Sequence, residues 1–220
     1  MNFPSRCILT LAYAWSAVAF GASAGDISKV IGSVRVESGQ AARDVSTVNG
    51  SVTIGAAATV DQVETVNGSV RIEDRAVLES AETVNGDVTI GDGAEVRDDV
   101  ETVNGDIIVR TGARVGGSVA NVNGNMLIEG ASVGGGIETV NADIRVTTGA
   151  RVAGGIHVEK NNGNGRSWFG KEQDNPRITV EQGAVVEGPL VFEREVDLYV
   201  APGVTLPAVQ GVPPKRYTLQ

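Results

Sequence analysis

The chain has 220 residues, with 27 acidic against 18 basic side chains and a formal net charge of −9. That balance removes the electrostatic basis for binding nucleic acid or an anionic membrane surface. Twenty-nine glycines and only 4% aromatic residues fit tight corners around a thin aliphatic core, and a single cysteine, Cys7, excludes an internal disulfide framework.

Residues 1–24 read as a secretory signal peptide. Arg6 supplies the positive start, Ile8 to Phe20 is a mostly apolar run of thirteen residues, and Ala22-Ser23-Ala24 is the small-residue pattern expected before a cleavage site. The run falls short of the roughly 20 apolar residues of a spanning helix. The expected mature chain begins near Gly25, has no cysteine and no stable membrane span, and is periplasmic or secreted.

One unit dominates the remainder of the chain. Val63-Glu-Thr-Val-Asn-Gly-Ser-Val-Arg-Ile72 has close copies from Val45 to Val146, and the asparagines Asn49, Asn67, Asn85, Asn104, Asn123 and Asn141 are spaced 18, 18, 19, 19 and 18 residues apart. Before them, Val30-Ile31-Gly32-Ser33-Val34-Arg35-Val36 keeps the register without the asparagine, as an N-terminal cap would. After each glycine the residues alternate, as in Asp87-Val88-Thr89-Ile90, which is strand chemistry. A second aliphatic group follows a Gly-Ala corner, as in Gly112-Ala113-Arg114-Val115. A third precedes the asparagine, at Val45, Val63, Ala81, Val100, Val119, Ile137 and Ile156.

Three short sides of six residues make one triangular turn. A single rung buries roughly five or six aliphatic side chains at about 1.5–3 kcal/mol each, against about 1–2 kcal/mol of backbone entropy for each ordered residue. One rung alone cannot fold, so the rungs must stack. The predicted class is all-β: a single-stranded parallel β-helix, or β-solenoid, triangular, with about 18 residues per rung. Parallel crossovers are overwhelmingly right-handed, which is the expected hand. Aliphatics also recur every six residues, at Val48, Ile54, Val60, Val66, Ile72, Leu78, Val84, Ile90 and Val96, as they do in left-handed hexapeptide helices. This count places the valine of each Val-Asn-Gly, Val103 among them, in the core. The asparagines are expected at a corner, where Asn tolerates left-handed backbone and its amide bonds to the next asparagine in a structural ladder.

The pattern runs on to Ile156 and breaks at residues 159–177, a polar, Gly- and Asn-rich stretch predicted to project as a loop. Trp168 and Phe169 at its centre are the candidate binding residues, as an aromatic contact for glycan or protein. Rung-like sequence resumes at Ile178 and continues to Val200. Residues 201–220, punctuated by Pro202, Pro207, Pro213 and Pro214, are predicted to lie over the open end as a capping tail.

The Gly-x-Val-x-Ile strands, the corners such as Gly112-Ala113-Arg114-Val115-Gly116-Gly117-Ser118-Val119, and the eighteen-residue rungs resemble the bactofilin-like, polymer-forming cytoskeletal proteins over about Val30 to Val200. They are also similar to secreted β-repeat proteins described as adhesins. The resemblance implies a right-handed triangular β-helix and, for bactofilins, nucleotide-free end-to-end polymerisation. It carries no catalytic residues. Bactofilins are typically cytoplasmic and open-ended, whereas this chain starts with an export leader and ends in a proline-rich tail.

Few side chains suggest chemistry. His157, the only histidine, precedes the inserted stretch, as the base of a hexapeptide acyltransferase does, but export removes the chain from acyl-CoA and a lone histidine on an alternating strand is ordinarily a surface residue. Glu64, Glu82, Glu101 and Glu138 share one column, and Asp87, Asp106 and Asp143 another. Without the Gly-Gly-x-Gly-x-Asp nonapeptide of calcium β-rolls these read as solvated faces. The Thr-x-Asn pairs would bind ice only if both residues faced outward on a flat array. The resulting expectation is a non-enzymatic structural or adhesin-like envelope protein with no catalytic residues, metal or cofactor, whose partners are other copies of itself or envelope components. The alternative is a glycan-binding or glycan-processing β-helix.

Overall fold

The structure is a computed structural model that describes residues 25–160 and 175–219. The predicted leader 1–24 with Cys7, and Trp168 and Phe169 with most of the inserted loop, lie outside the described residues. The described chain has 23 strands and no helix, and its strands stack in parallel as a β-solenoid of about 10 turns.

Three ladders run the length of the stack. The first begins at Val34–Val36 and passes through Val52–Ile54, Val70–Ile72, Val88–Ile90 and Ile107–Val109 to Lys215–Thr218, each strand in register with the one before. Its inward residues, such as Val52, Ile54, Ile72 and Ile90, are all but fully buried. The second side carries the inward column Ala42, Val60, Leu78, Val96, Val115, Val133, Val152 and Val186. The third carries Val45, Val63, Ala81, Val100, Val119, Ile137, Ile156 and Leu190. These columns merge into one core cluster. Each strand therefore satisfies its backbone through its neighbours while its alternate side chains fill the interior.

The insertion does not disturb the stack. Ile144 pairs with Ile178 and Val146 with Val180, so the rung after the inserted segment seats where an uninterrupted repeat would.

The left-handed corner is not at asparagine, where the repeat pattern had suggested it. It falls at Gly39, Ala57, Arg75, Gly93, Gly112, Gly130, Gly149, Gly183 and Gly203, just before a buried alanine in all but the first and last of these. Glycine suits most rungs there because a side chain at positive φ meets its own backbone. Ala57 (φ 56°) and Arg75 (φ 58°) hold the same conformation at a cost of about 1–2 kcal/mol each.

The tail is more regular than its prolines suggest. It stacks as a further rung, Val209–Gly211 on Leu190–Phe192 and Lys215–Thr218 on Asp197–Val200, with Val204, Leu206 and Val209 packed against the core. The prolines sit between these strands, where no ladder hydrogen bond is needed. In this last rung Arg216 and Thr218 fall in register with Leu198 and Val200, so polar residues take over two aliphatic core columns.

Candidate functional site

The repeated side from Val63 to Gly68 is the most regular surface of the molecule. Val63 and Thr65 face inward; Glu64 and Val66 face outward. This corrects the expectation that Val48, Val66, Val84 and Val103 belong to the core. All four are half-buried, while Thr47, Thr65, Thr83, Thr102 and Thr139 are 2–5% exposed. The reason is a carbonyl. Each inward threonine hydroxyl donates to the oxygen of the corner glycine one rung earlier: Thr47 to Gly32 (3.1 Å), Thr65 to Gly50, Thr83 to Gly68 and Thr102 to Gly86 (each 3.0 Å). A valine there would leave that carbonyl without a partner. In the next rung the Asn121 amide takes over, donating to the Gly105 oxygen, and its own oxygen accepts from the Thr139 hydroxyl. Buried threonines also remove the outward Thr array an ice-binding face requires.

Beside the threonines the asparagines form a continuous ladder. Each Nδ2 donates to the Oδ1 one rung earlier, Asn67 to Asn49, Asn85 to Asn67, Asn104 to Asn85, Asn123 to Asn104 and Asn141 to Asn123, at 2.9–3.1 Å. Arg194 closes the far end by donating Nη1 to the Asn141 Oδ1 at 2.7 Å and to the Val140 carbonyl, and partial burial lowers its pKa. The glycine that follows Asn49, Asn67, Asn85, Asn104 and Asn123 is required by close approach, whereas Asn141 is followed by Ala142. A Cβ on Gly68 would stand 1.9 Å from the Gly50 oxygen.

The aspartate column also has a structural role. Asp106 N–H donates to the Asp87 carboxylate, Asn125 N–H to Asp106 and Arg177 N–H to Asp143, continuing a series in which Ser51 and Ser69 N–H donate to the hydroxyls of Ser33 and Ser51. The glutamate column is different. Glu64, Glu82 and Glu101 occupy adjacent rungs in register, at about the 4.8 Å strand spacing. Burial among its neighbours raises the pKa of Glu64, with Asp44 adding to it, and burial raises that of Glu82, followed by the charges of Glu101, Glu64 and Asp99. Both residues remain open to solvent on their outer side, which tempers the effect.

His157 sits on the same outer face, paired with Glu138 in one rung and Val191 in the next. Its Nε2 lies 3.3 Å from Glu193 Oε1, while the Lys160 N–H donates to Glu193 Oε2 and holds that carboxyl below its usual range. The arrangement is a surface pair that braces two rungs. Among the described residues no group of three or more His, Cys, Asp or Glu side chains could hold a metal ion, and no helix is long and apolar enough to cross a membrane.

The C-terminal end carries a feature that sequence patterning did not single out. Tyr199 and Tyr217 stack with ring centres 4.6 Å apart, and the Arg177 guanidinium lies 5.2 Å from the Tyr199 ring. A recess of about 290 Å³ opens there, lined by Val200, Val204, Leu206, Arg216, Tyr217 and Thr218. Alternation within Asp197–Val200 could have placed Tyr199 outward, but the register that brings Tyr217 beside it follows only from the fold. No family model, curated protein or solved structure matches this chain.

Proposed function

We propose that the protein is a non-enzymatic structural or adhesin-like solenoid of the cell envelope, acting through a rigid, regular surface. The observation that supports this best is the continuity of its outer columns. The asparagine ladder and the valine stripe beside it each repeat from rung to rung with one spacing, so the surface offers a lattice of equivalent positions. The polar Arg216 and Thr218 at the core positions of the last rung favour a rod of fixed length, because a further rung stacked on them would bury a guanidinium.

Fractionation of producing cells, together with negative-stain microscopy of the purified mature chain, tests this reading. The expected result is an envelope or secreted fraction, and rods about 50 Å long from ten turns at the strand spacing. A cytosolic pool beginning at Met1 would overturn the envelope assignment. Long filaments would overturn the fixed length and favour the polymer-forming behaviour of bactofilins.

A glycan-binding reading has one observation in its favour. Tyr217 is 42% exposed, between Arg216 and Thr218 at the mouth of the terminal recess. An exposed aromatic ring beside a guanidinium suits a sugar's apolar face and its hydroxyls. Glycan-array binding that is lost in Tyr217→Ala would promote this reading over the structural one.

A further inference from the structure

The asparagine corner is built from a chemically labile pair. In an Asn-Gly step the glycine backbone nitrogen attacks the asparagine Cγ. The N–Cγ bond forms, the Cγ–Nδ2 bond breaks, and ammonia leaves with the proton released by the backbone amide. Water then opens either carbonyl of the resulting succinimide, giving aspartate or isoaspartate. The sum is amide plus water to acid plus ammonia, with no redox change. Glycine opposes the attack least, having no side chain to crowd the ring.

This fold requires the pair five times. The ladder needs the asparagine amide, and the close approach of rungs needs the glycine. A Cβ at Gly50, Gly68, Gly86, Gly105 or Gly124 would lie 1.9–2.3 Å from the carbonyl oxygen of the glycine one rung earlier. Replacing the glycine therefore offers no escape from the hazard.

The folded backbone withholds both reactants. The nucleophilic nitrogens of Gly50, Gly68, Gly86 and Gly105 each donate to the carbonyl of the asparagine one rung later, Asn67, Asn85, Asn104 and Asn123, at 3.0 Å. Gly124 lies within the strand Val119–Ile128, in register with Ala142. The electrophilic amides are held by the ladder, so no Asn67, Asn85, Asn104 or Asn123 side chain can swing toward the following nitrogen without breaking two hydrogen bonds. Asn49, Asn67, Asn85 and Asn104 each end a strand, whose extended backbone carries the next nitrogen away from Cγ.

We infer that Asn49, Asn67, Asn85, Asn104 and Asn123 are modification sites of the unfolded chain alone: the solenoid suppresses their deamidation, and each prolonged excursion from the fold is recorded irreversibly in the ladder. An aspartate there loses the donor its neighbour accepts and brings a negative charge against that neighbour's Oδ1. An isoaspartate adds a backbone atom and shifts the register on which every later rung depends.

The test uses the full mature chain, incubated at mildly alkaline pH either folded or in concentrated guanidinium. Conversion at each site is followed by peptide mass spectrometry with isoaspartate detection. Because the reaction needs a core strand to open, conversion at the five sites is expected to be at least about a hundredfold slower in the folded protein. Folded rates within about threefold of the denatured ones would overturn the inference, since opening would then not control the chemistry. Aliquots aged in denaturant and returned to buffer supply a second readout. Native melting should be lost in proportion to conversion, and full recovery by chains converted at all five sites would overturn the claim that the ladder records the damage.

Discussion

The rungs that carry Asn-Gly and those around the insertion solve the same packing problem in opposite ways. In the former the inward position before the corner is threonine, or asparagine at Asn121, and the outward one valine. In the latter the aligned inward residues are Val158 and Phe192, both fully buried, and the outward ones Glu159 and Glu193. Hydrophobic patterning is thus conventional at Val158 and Phe192, and is inverted where a corner glycine carbonyl accepts a hydrogen bond from the inward side chain. A single unsatisfied acceptor outweighs the burial of a valine side chain, in keeping with the cost of about 1–3 kcal/mol for leaving a buried carbonyl unpaired.

The severest way to break this comparison is Gly68→Ala. The added methyl meets backbone at 1.9 Å, and the rungs must part, so a loss of about 3 kcal/mol or more is expected in chemical denaturation. Gly93→Ala, at the other corner, meets only the Arg75 side chain at 3.6 Å and should cost about 1 kcal/mol, from its positive φ alone. Equal losses would mean that the two corners do not differ as described.

An exchange of residue types sharpens the contrast. Thr65→Val strands the Gly50 carbonyl and Val158→Thr buries a hydroxyl, so each should destabilise by about 1–3 kcal/mol even though both are near-isosteric. A thermal melt in which Thr65→Val gains stability would show that the hydroxyl is not needed. Arg75→Gly should act in the opposite direction, stabilising by about 1 kcal/mol through release of its left-handed strain, with the melting midpoint as the measure.

The smallest effect is electrostatic. The folded-state pKa of Glu82 is raised by burial and by its acidic neighbours, so the native state holds the proton more tightly than the unfolded chain does. Stability is therefore gained on acidification and lost as pH rises from the ordinary glutamate value of 4.5 through the raised folded value. Glu82→Gln should remove that slope and add roughly a few tenths of a kcal/mol at neutral pH, after allowance for solvent screening. Parallel melts at pH 5 and pH 7 check the sign, and an unchanged difference between variant and parent would refute the assignment.

Much of the architecture was legible because its signals are periodic. The spacing of Asn49 to Asn141, the alternation in Ser69-Val70-Arg71-Ile72 and the Gly-Ala corners lead to the stacked rungs. The facing of the third side was not legible. Counting six residues from Ile54 and Val60 reaches Val66, whereas alternation from Val63 reaches Thr65, and only the direction of the Gly50 carbonyl decides between them. The left-handed corner was masked in the same way, since Ala57 and Arg75 stand where Gly93 and Gly112 would have revealed it. The four prolines suggested an irregular tail, although they lie between strands rather than within them. Of the candidate site residues, the asparagines meet in a ladder, whereas Trp168 and Phe169 lie outside the described residues.

The insertion bears on how the molecule can be assembled from a disordered chain. Nearly every contact between rungs joins residues 18 or 19 positions apart, so each new turn closes a loop of the same size, and the stack can grow like a zipper once a first pair of turns has nucleated. Across the insertion the separation rises to 34 for one whole turn, from Asp143 against Arg177 to Val158 against Phe192. Loop-closure entropy grows logarithmically, so this near-doubling costs only about 0.6 kcal/mol. The growing zipper meets one slightly slower step and then regains its pace, so a solenoid of this kind can acquire side decorations between turns without forfeiting its ability to fold.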